Sequence, residues 1–422
     1  MDQFELRDGG IWCEKVPLSS IAEAVGTPVY VYSTAAMVSQ ASLLVATVAD
    51  CGNGDPLVAY AVKANPNPAV LKTLARAGLG ADVVSIGEYE KARTGGIPPE
   101  RIVFSGVGKT EAEMAAALIG GLLQFNVESV EEARTLSAVA GSLGVVAPMG
   151  FRINPDVAAG THAKMTTGTA DNKFGIAASA ALDAFAEAAR LPALEVTGIT
   201  VHIGSQLTSL APLEAAFGQV GQVLREVRAA GHDIRLVDLG GGLGVPHGAG
   251  QPEPPTVEEY GAMACRVTDG WNVRLIFEPG RLIVANAGVL LARVVRLKPG
   301  AQHPWVIVDA AMNDLMRPAL YDAFHRIEAV APSGRRTIAN VVGPVCESGD
   351  TFAMAREMDE VAPGDLVIFR TAGAYGAAMS GGYNSRPLTP EVLVEGDKWA
   401  LVRRRIHIDE LAACETPEWL SP

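Results

Sequence analysis

Positive charge is in short supply: 34 Lys and Arg stand against 47 Asp and Glu, a net charge of −13. That sign repels nucleic acid and anionic membrane surfaces, so neither is an expected partner. Low-complexity tracts are missing, which excludes a disordered chain. No apolar run is long enough to span a bilayer, and the opening MDQFELRDGG is too charged for a signal peptide, so no membrane or export route is expected. Cysteine is sparse. Cys13, Cys51, Cys265, Cys346 and Cys414 are scattered, odd in number and without metal-ligand spacing. A reducing cytoplasm is the simplest reading of them, and no metal site is expected.

What is present is a large apolar fraction, 49% of 422 residues, with 19% charged. Such a chain is soluble and well packed, and too long for one ordinary core. Short apolar runs ending in turn residues alternate with Ala-rich helical segments over the first two thirds. Eight runs fit the strand pattern: LVAYAV, ADVVS, RIVFSG, LLQFNV, APMGFRI, VTGITVHIG, RLVDLGG and VRLIFEPG. Eight βα units over ~250 residues predict a (β/α)8 barrel; a doubly wound open sheet is the alternative that strand counting leaves open. Beyond residue 285 short turns join strand-like runs, which predicts a β-rich C-terminal domain. The expected division is 1–28 as an N-terminal segment packing with the β-rich domain, 29–284 as the barrel and 285–422 as the β-rich domain.

In a barrel the strand ends gather at one mouth. They carry Lys63, Ser85, Gly106, Asn126 with Glu128, Arg152, His202, Gly240 and Glu278. The run PLVAYAVKANPN ends a buried-looking strand on Lys63. A lysine so placed usually packs its stem and keeps its head in water; desolvation would instead free its amine for attack on an aldehyde. DLGGGLG places Gly240, Gly241, Gly242 and Gly244 after a strand. A tight turn needs one or two glycines, whereas four in five residues suit backbone N–H groups wrapped around an anion such as phosphate. Val245 breaks the dinucleotide-binding pattern, and Val103 stands where FSGVGKT would need the first glycine of a P-loop. EPGR offers Glu278, which reads either as a surface ion pair or as a carboxylate for a pyridine nitrogen. HIGSQ offers His202, which reads as a structural histidine or a stacking ring. An amine nucleophile, a phosphate cradle, a ring-nitrogen carboxylate and a flat ring together describe a site for pyridoxal 5′-phosphate.

With YAVKAN, FRINPD, GTHAKMTTG and NKFGI, HIGSQ, DLGGGLG, EPGR, MRPALYDA, GPVCESGD, and GAYG followed by YNSRP, in this order over nearly the whole chain, the sequence resembles the barrel-type (fold type III) pyridoxal-phosphate decarboxylases, and most closely the branch acting on meso-2,6-diaminopimelate. The resemblance implies that Lys63 is the Schiff-base lysine, that His202 stacks on the cofactor ring and that Glu278 pairs with its nitrogen. Asp82, Ser205, Gly240, Gly241, Gly242, Gly280 and Tyr375 would complete the cofactor site. Arg281, Arg317 and Tyr321 would bind the distal carboxylate of the amino-acid substrate, with Glu347 on its amine and Tyr375 nearby. Cys346 or Lys63 would protonate the α-carbon. The implied reaction releases CO2 and L-lysine, and the implied assembly is a homodimer in which Cys346 and Glu347 reach the partner's cofactor. A decarboxylase of the same fold acting on ornithine, arginine or a carrier-bound amino acid is the nearest rival. A racemase of this fold would favour arginine over Glu278, and a non-catalytic pyridoxal-phosphate-binding protein would need only the barrel.

Overall fold

A computed structural model describes residues 3–158, 167–168, 172–248 and 250–414. Eight parallel strands close on themselves: β1 (Leu57–Ala61), β2 (Gly80–Val83), β3 (Ile102–Phe104), β4 (Gln124–Val127), β5 (Ala147–Asn154), β6 (Leu194–Val201), β7 (Leu236–Asp238) and β8 (Arg274–Phe277). Each pairs with the next, and β8 pairs with β1 through Ile276–Leu57 and Phe277–Val58. The eight runs expected from the sequence are these strands, and closure excludes the open sheet. Apolar side chains such as Leu57, Ala59, Val103 and Ile276 fill one end of the barrel. Helices start where the sequence supplies caps. Ser85 and Ser129 accept from the N–H three residues on, and Thr110 with Glu113 and Thr256 with Glu259 form reciprocal capping boxes.

The chain divides into two compact units, Val38–Pro246 with Pro252–Ile283, and Met1–Met37 with His247–Gln251 and Val284–Pro422. The second unit is β-rich, as expected. Its boundary differs from the expected residue 29, because Val29–Ser33 is not a barrel strand. It lies between Gly288–Lys298, antiparallel, and Glu391–Glu395, parallel. Phe4, Ile11, Leu18 and Ile21 of the N-terminal segment share an apolar core with Val29, Val31, Leu291, Ile368 and Val392. The buried Glu14 carboxylate fastens this segment by accepting from Ser33 Oγ at 2.7 Å, Ala35 N at 2.9 Å and Gly396 N at 2.6 Å.

The scatter of cysteines in sequence conceals one pair: Cys51 and Cys265, 214 residues apart, form a disulfide within the barrel unit, while Cys13, Cys346 and Cys414 form no disulfide among the described residues. No helix among the described residues is long and apolar enough to cross a membrane. Half of the long connection after β5, residues 159–166 with GTHAKMT and residues 169–171, lies outside the described residues.

Candidate active site

The lysine at the end of an apolar strand has a partner on the neighbouring strand. After β1 the chain makes a single 3-10 turn, Val62–Ala64, and Lys63 Nζ lies 3.0 Å from Asp82 Oδ2. Asp82 is fully buried in β2, while the Lys63 side chain is 39% exposed, so the amine is reachable. Asp82 Oδ1 is buried without a hydrogen-bond partner among the described residues. An unused buried carboxylate oxygen costs free energy unless a ligand or water completes it.

His202 follows β6 and accepts from Gly241 N at Nδ1, 3.3 Å away. Burial, together with the charges of Arg152 and Lys63, lowers its pKa well below the usual imidazole value. The ring is therefore neutral and flat-faced at physiological pH. Arg152, expected at a strand end, lies inside β5. It is held by the buried Glu128 carboxylate at 2.9 Å and stacks over Phe174.

Most of the glycine loop's small residues are required by backbone packing. A Cβ at Gly240 would stand 2.4 Å from Val201 O and 3.0 Å from His202 Nδ1, and at Gly241 2.1 Å from Glu278 O. A Cβ at Gly242 or Gly244 would stand 2.5 Å from Gly204 O or 2.7 Å from Leu207 O. Some N–H groups of the loop bond internally: Gly240 N to Asp238 Oδ1 at 2.9 Å, Gly241 N to His202 and Gly244 N to Leu207 O. Gln206, quoted in the HIGSQ motif without a role, zips the two loops together through Val245 N and O. Ser205 Oγ accepts from Arg281 Nη2 at 3.2 Å, bringing together two residues assigned to different ligands. Gly240→Ala would place alanine at φ +65°, at a strain of about 1–2 kcal/mol, besides displacing His202. Cofactor affinity measured by fluorescence quenching is expected to fall about tenfold.

Beneath the mouth lies a polar layer that sequence reading found only in part. Asn126 Nδ2 donates to Ser105 Oγ and Asp238 Oδ2, each at 3.0 Å, and to Glu278 Oε1 at 3.4 Å. Thr200 Oγ1 and Gln124 Nε2 donate to Asn126 Oδ1 at 2.7 and 2.8 Å. Asp238 and Thr200 were assigned no role; polar residues at inward positions of barrel strands, where apolar filling is the norm, are the signal that could have found them. The lysine of FSGVGKT, Lys109, is a buried strut. Its Nζ donates to Gly106 O, Asn126 O and Glu132 Oε1 at 2.6–2.9 Å, tying two strand ends to a helix. Lys109→Met strands a buried carboxylate and two carbonyls, and is expected to cost about 3–5 kcal/mol, seen as a lowered urea midpoint.

Gly280 lies in the barrel unit, whereas Arg317, Tyr321, Cys346, Glu347 and Tyr375 belong to the β-rich unit. Arg317 opens the short helix Arg317–Tyr321, is 3% exposed, and places its guanidinium 5.9 Å from the Tyr321 ring centre. In GPVCESGD the buried Asp350 carboxylate accepts from Met312 N at 2.6 Å and Val345 N at 2.7 Å, pinning the turn so that Cys346 and Glu347 face outward. Cys346 N donates to Asn384 Oδ1 at 2.9 Å. Tyr375 is half-buried and takes a left-handed φ of 54°.

Residues 44–285 match the family model for the pyridoxal-binding domain of pyridoxal-dependent decarboxylases. A diaminopimelate decarboxylase from Zymomonas mobilis is 53% identical over 421 residues, covering 100% of both chains. The chain belongs to the diaminopimelate decarboxylase family. Solved structures agree. A diaminopimelate decarboxylase from M. jannaschii in co-complex with L-lysine superposes with a TM-score of 0.95 at 35% identity, covering 100% of this chain and 99% of that one. One from Helicobacter pylori, complexed with L-lysine, gives 0.90 at 38% identity over 94% and 99%. The family's cofactor is pyridoxal phosphate, and the barrel unit fits it: an accessible amine beside an incompletely bonded carboxylate, a neutral imidazole, and a buried carboxyl at the end of β8.

Proposed function

We propose that the chain decarboxylates meso-2,6-diaminopimelate to L-lysine and CO2, the last step of lysine biosynthesis, with the residue roles that follow. The observation that carries this is the full-length relation to diaminopimelate decarboxylases, taken with Lys63, Asp82, His202 and Glu278 on one barrel unit. Bound pyridoxal phosphate supplies an electron-withdrawing ring that accepts the electron pair left when CO2 departs. The protein's task is to hold that ring and the substrate in register. Lys63 would hold the cofactor through its amine, which Asp82 orients. His202 would pack its neutral ring against the cofactor, and Glu278 would meet its ring nitrogen. Ser205, Gly240, Gly241, Gly242, Gly280 and Tyr375 would hold the phosphate.

Arg281 and Arg317 recognise the distal carboxylate with Tyr321, and Glu347 takes the distal amine. Both arginines are buried, and a buried guanidinium fork suits a carboxylate far better than the distal ammonium of ornithine. This favours diaminopimelate over the rival substrates. Cys346 or Lys63 returns the proton to the α-carbon. The outward-facing Cys346 and Glu347 complete the site of the other subunit in a homodimer, and the cytoplasm is the proposed compartment. CO2 release from diaminopimelate, ornithine, arginine and lysine tests the substrate: turnover of diaminopimelate alone is expected, and turnover of ornithine instead would overturn the reading.

The shared site has its own test. Lys63→Ala and Glu347→Ala subunits, each poorly active alone, are expected to regain about a quarter of wild-type activity on mixing, because half the dimers are mixed and carry one intact site of two.

A further inference from the structure

The floor of the barrel holds more negative charge than the reaction's assigned residues use. Asp82 and Asp238 are 0% exposed and Glu278 is 7% exposed. Lys63 answers Asp82, but among the described residues neither Asp238 nor Glu278 has a basic group within ion-pair distance. The two carboxyls instead share one donor, Asn126 Nδ2, at 3.0 Å from Asp238 Oδ2 and 3.4 Å from Glu278 Oε1. Two like charges gathered on one donor in a buried site disfavour each other's ionisation, which favours a proton held on the pair. Burial pushes the Asp238 carboxyl up to about 6. Burial and then the charges of Asp238 and Asp82 push Glu278 well above the usual carboxylate range, with Lys63 opposing.

Asn126 holds the pair. Its Oδ1 is engaged by Thr200 Oγ1 and Gln124 Nε2, so the amide cannot turn over, and its Nδ2 must face Asp238 and Glu278. The other Asp238 oxygen accepts from Gly240 N, which joins the pair to the loop that bonds His202. The charged or titratable groups facing the pair are Asp82 from β2, Lys63 after β1, and Tyr260 from the helix Val257–Thr268, whose hydroxyl is raised by burial and by Asp238.

We propose that Asp238 is a positioning residue for Glu278: with Asn126 it forms a two-carboxyl, one-proton unit at the end of β7 and β8 that fixes the orientation and proton occupancy of the group facing the cofactor's ring nitrogen. The proposal rests on the reading of Glu278 as that group. Asp238 touches no substrate; it acts through Glu278.

The test is the pH titration of the holoenzyme's visible absorbance, with kcat and KM measured against pH. Asp238→Asn removes a negative neighbour, so every proton nearby binds less tightly, and the acid inflection is expected to move down by about one pH unit or more while KM for diaminopimelate stays unchanged. Asn126→Ala removes the donor that favours the charged form, so the inflection is expected to move up. A merely structural pair would lower stability in both variants without shifts of opposite sign. An unmoved inflection in Asp238→Asn, or shifts of the same sign, would overturn the proposal. Should Asp238→Asn fail to fold, the direction of the Asn126→Ala shift decides by itself. Glu278→Gln is the control for the underlying reading: if the inflection survives there, Glu278 does not face the ring nitrogen, and the fault lies with that reading and not with Asp238.

Discussion

Lys63→Ala is expected to lower kcat by at least about a thousand-fold, the upper part of the range for removing a group that carries protons in the reaction, with loss of the covalent hold on the cofactor besides. The amine lies 3.0 Å from Asp82 and its side chain is 39% exposed. It is thus oriented by a buried charge and still open to a ligand. A complication is built into the site, since alanine leaves the Asp82 carboxylate buried without its cation and lowers stability as well as rate. Lys63→Arg separates the two effects. Its guanidinium keeps a positive charge beside Asp82 but stays protonated and forms no bond to an aldehyde. The arginine variant is expected to unfold near the wild-type temperature and to be as inactive as alanine. Retention of even a tenth of wild-type kcat by either variant would remove Lys63 from the chemistry.

Arg317→Ala is expected to lower kcat/KM for diaminopimelate by roughly thirty-fold to several thousand-fold, the equivalent of the ~2–5 kcal/mol lost when one member of a buried charge pair is truncated. Arg317 is 3% exposed at the start of its short helix, with its guanidinium near the Tyr321 ring. The loss should fall largely on KM, with the cofactor's absorbance spectrum intact. Arg317→Lys should recover only part of it, because an ammonium group cannot make the two parallel hydrogen bonds of a guanidinium. Disappearance of the cofactor spectrum in Arg317→Ala would show that the residue supports the cofactor and not the substrate.

The barrel was legible because each of its strands is an apolar run that ends on a polar residue or glycine, and that local pattern needs no knowledge of partners. The places of Lys63, His202 and Glu278 just past strand ends were legible for the same reason. What depends on distant pairing was not. Val29–Ser33 reads as an apolar run like any barrel strand, and only its hydrogen bonds to Gly288–Lys298 and Glu391–Glu395 assign it elsewhere. Cys51 and Cys265 sit in unremarkable sequence 214 residues apart. The glycines of DLGGGLG were read as freeing N–H groups for phosphate. The positions of Val201 O, Glu278 O and Gly204 O give a second reason for them, since backbone from neighbouring strands and loops occupies the space of a Cβ. Asp238 went unassigned because its significance lies in Asn126, 112 residues away, and in Glu278 on the next strand.

The most direct test is to reduce the pyridoxal-phosphate-loaded protein with borohydride, digest it, and locate the phosphopyridoxyl group by mass spectrometry. One modified peptide is expected, containing YAVKANPN and carrying the group on Lys63, with modification suppressed when diaminopimelate or L-lysine is present. A group attached to any other lysine, or labelling that substrate does not alter, would contradict the assignment of the barrel mouth as the catalytic site.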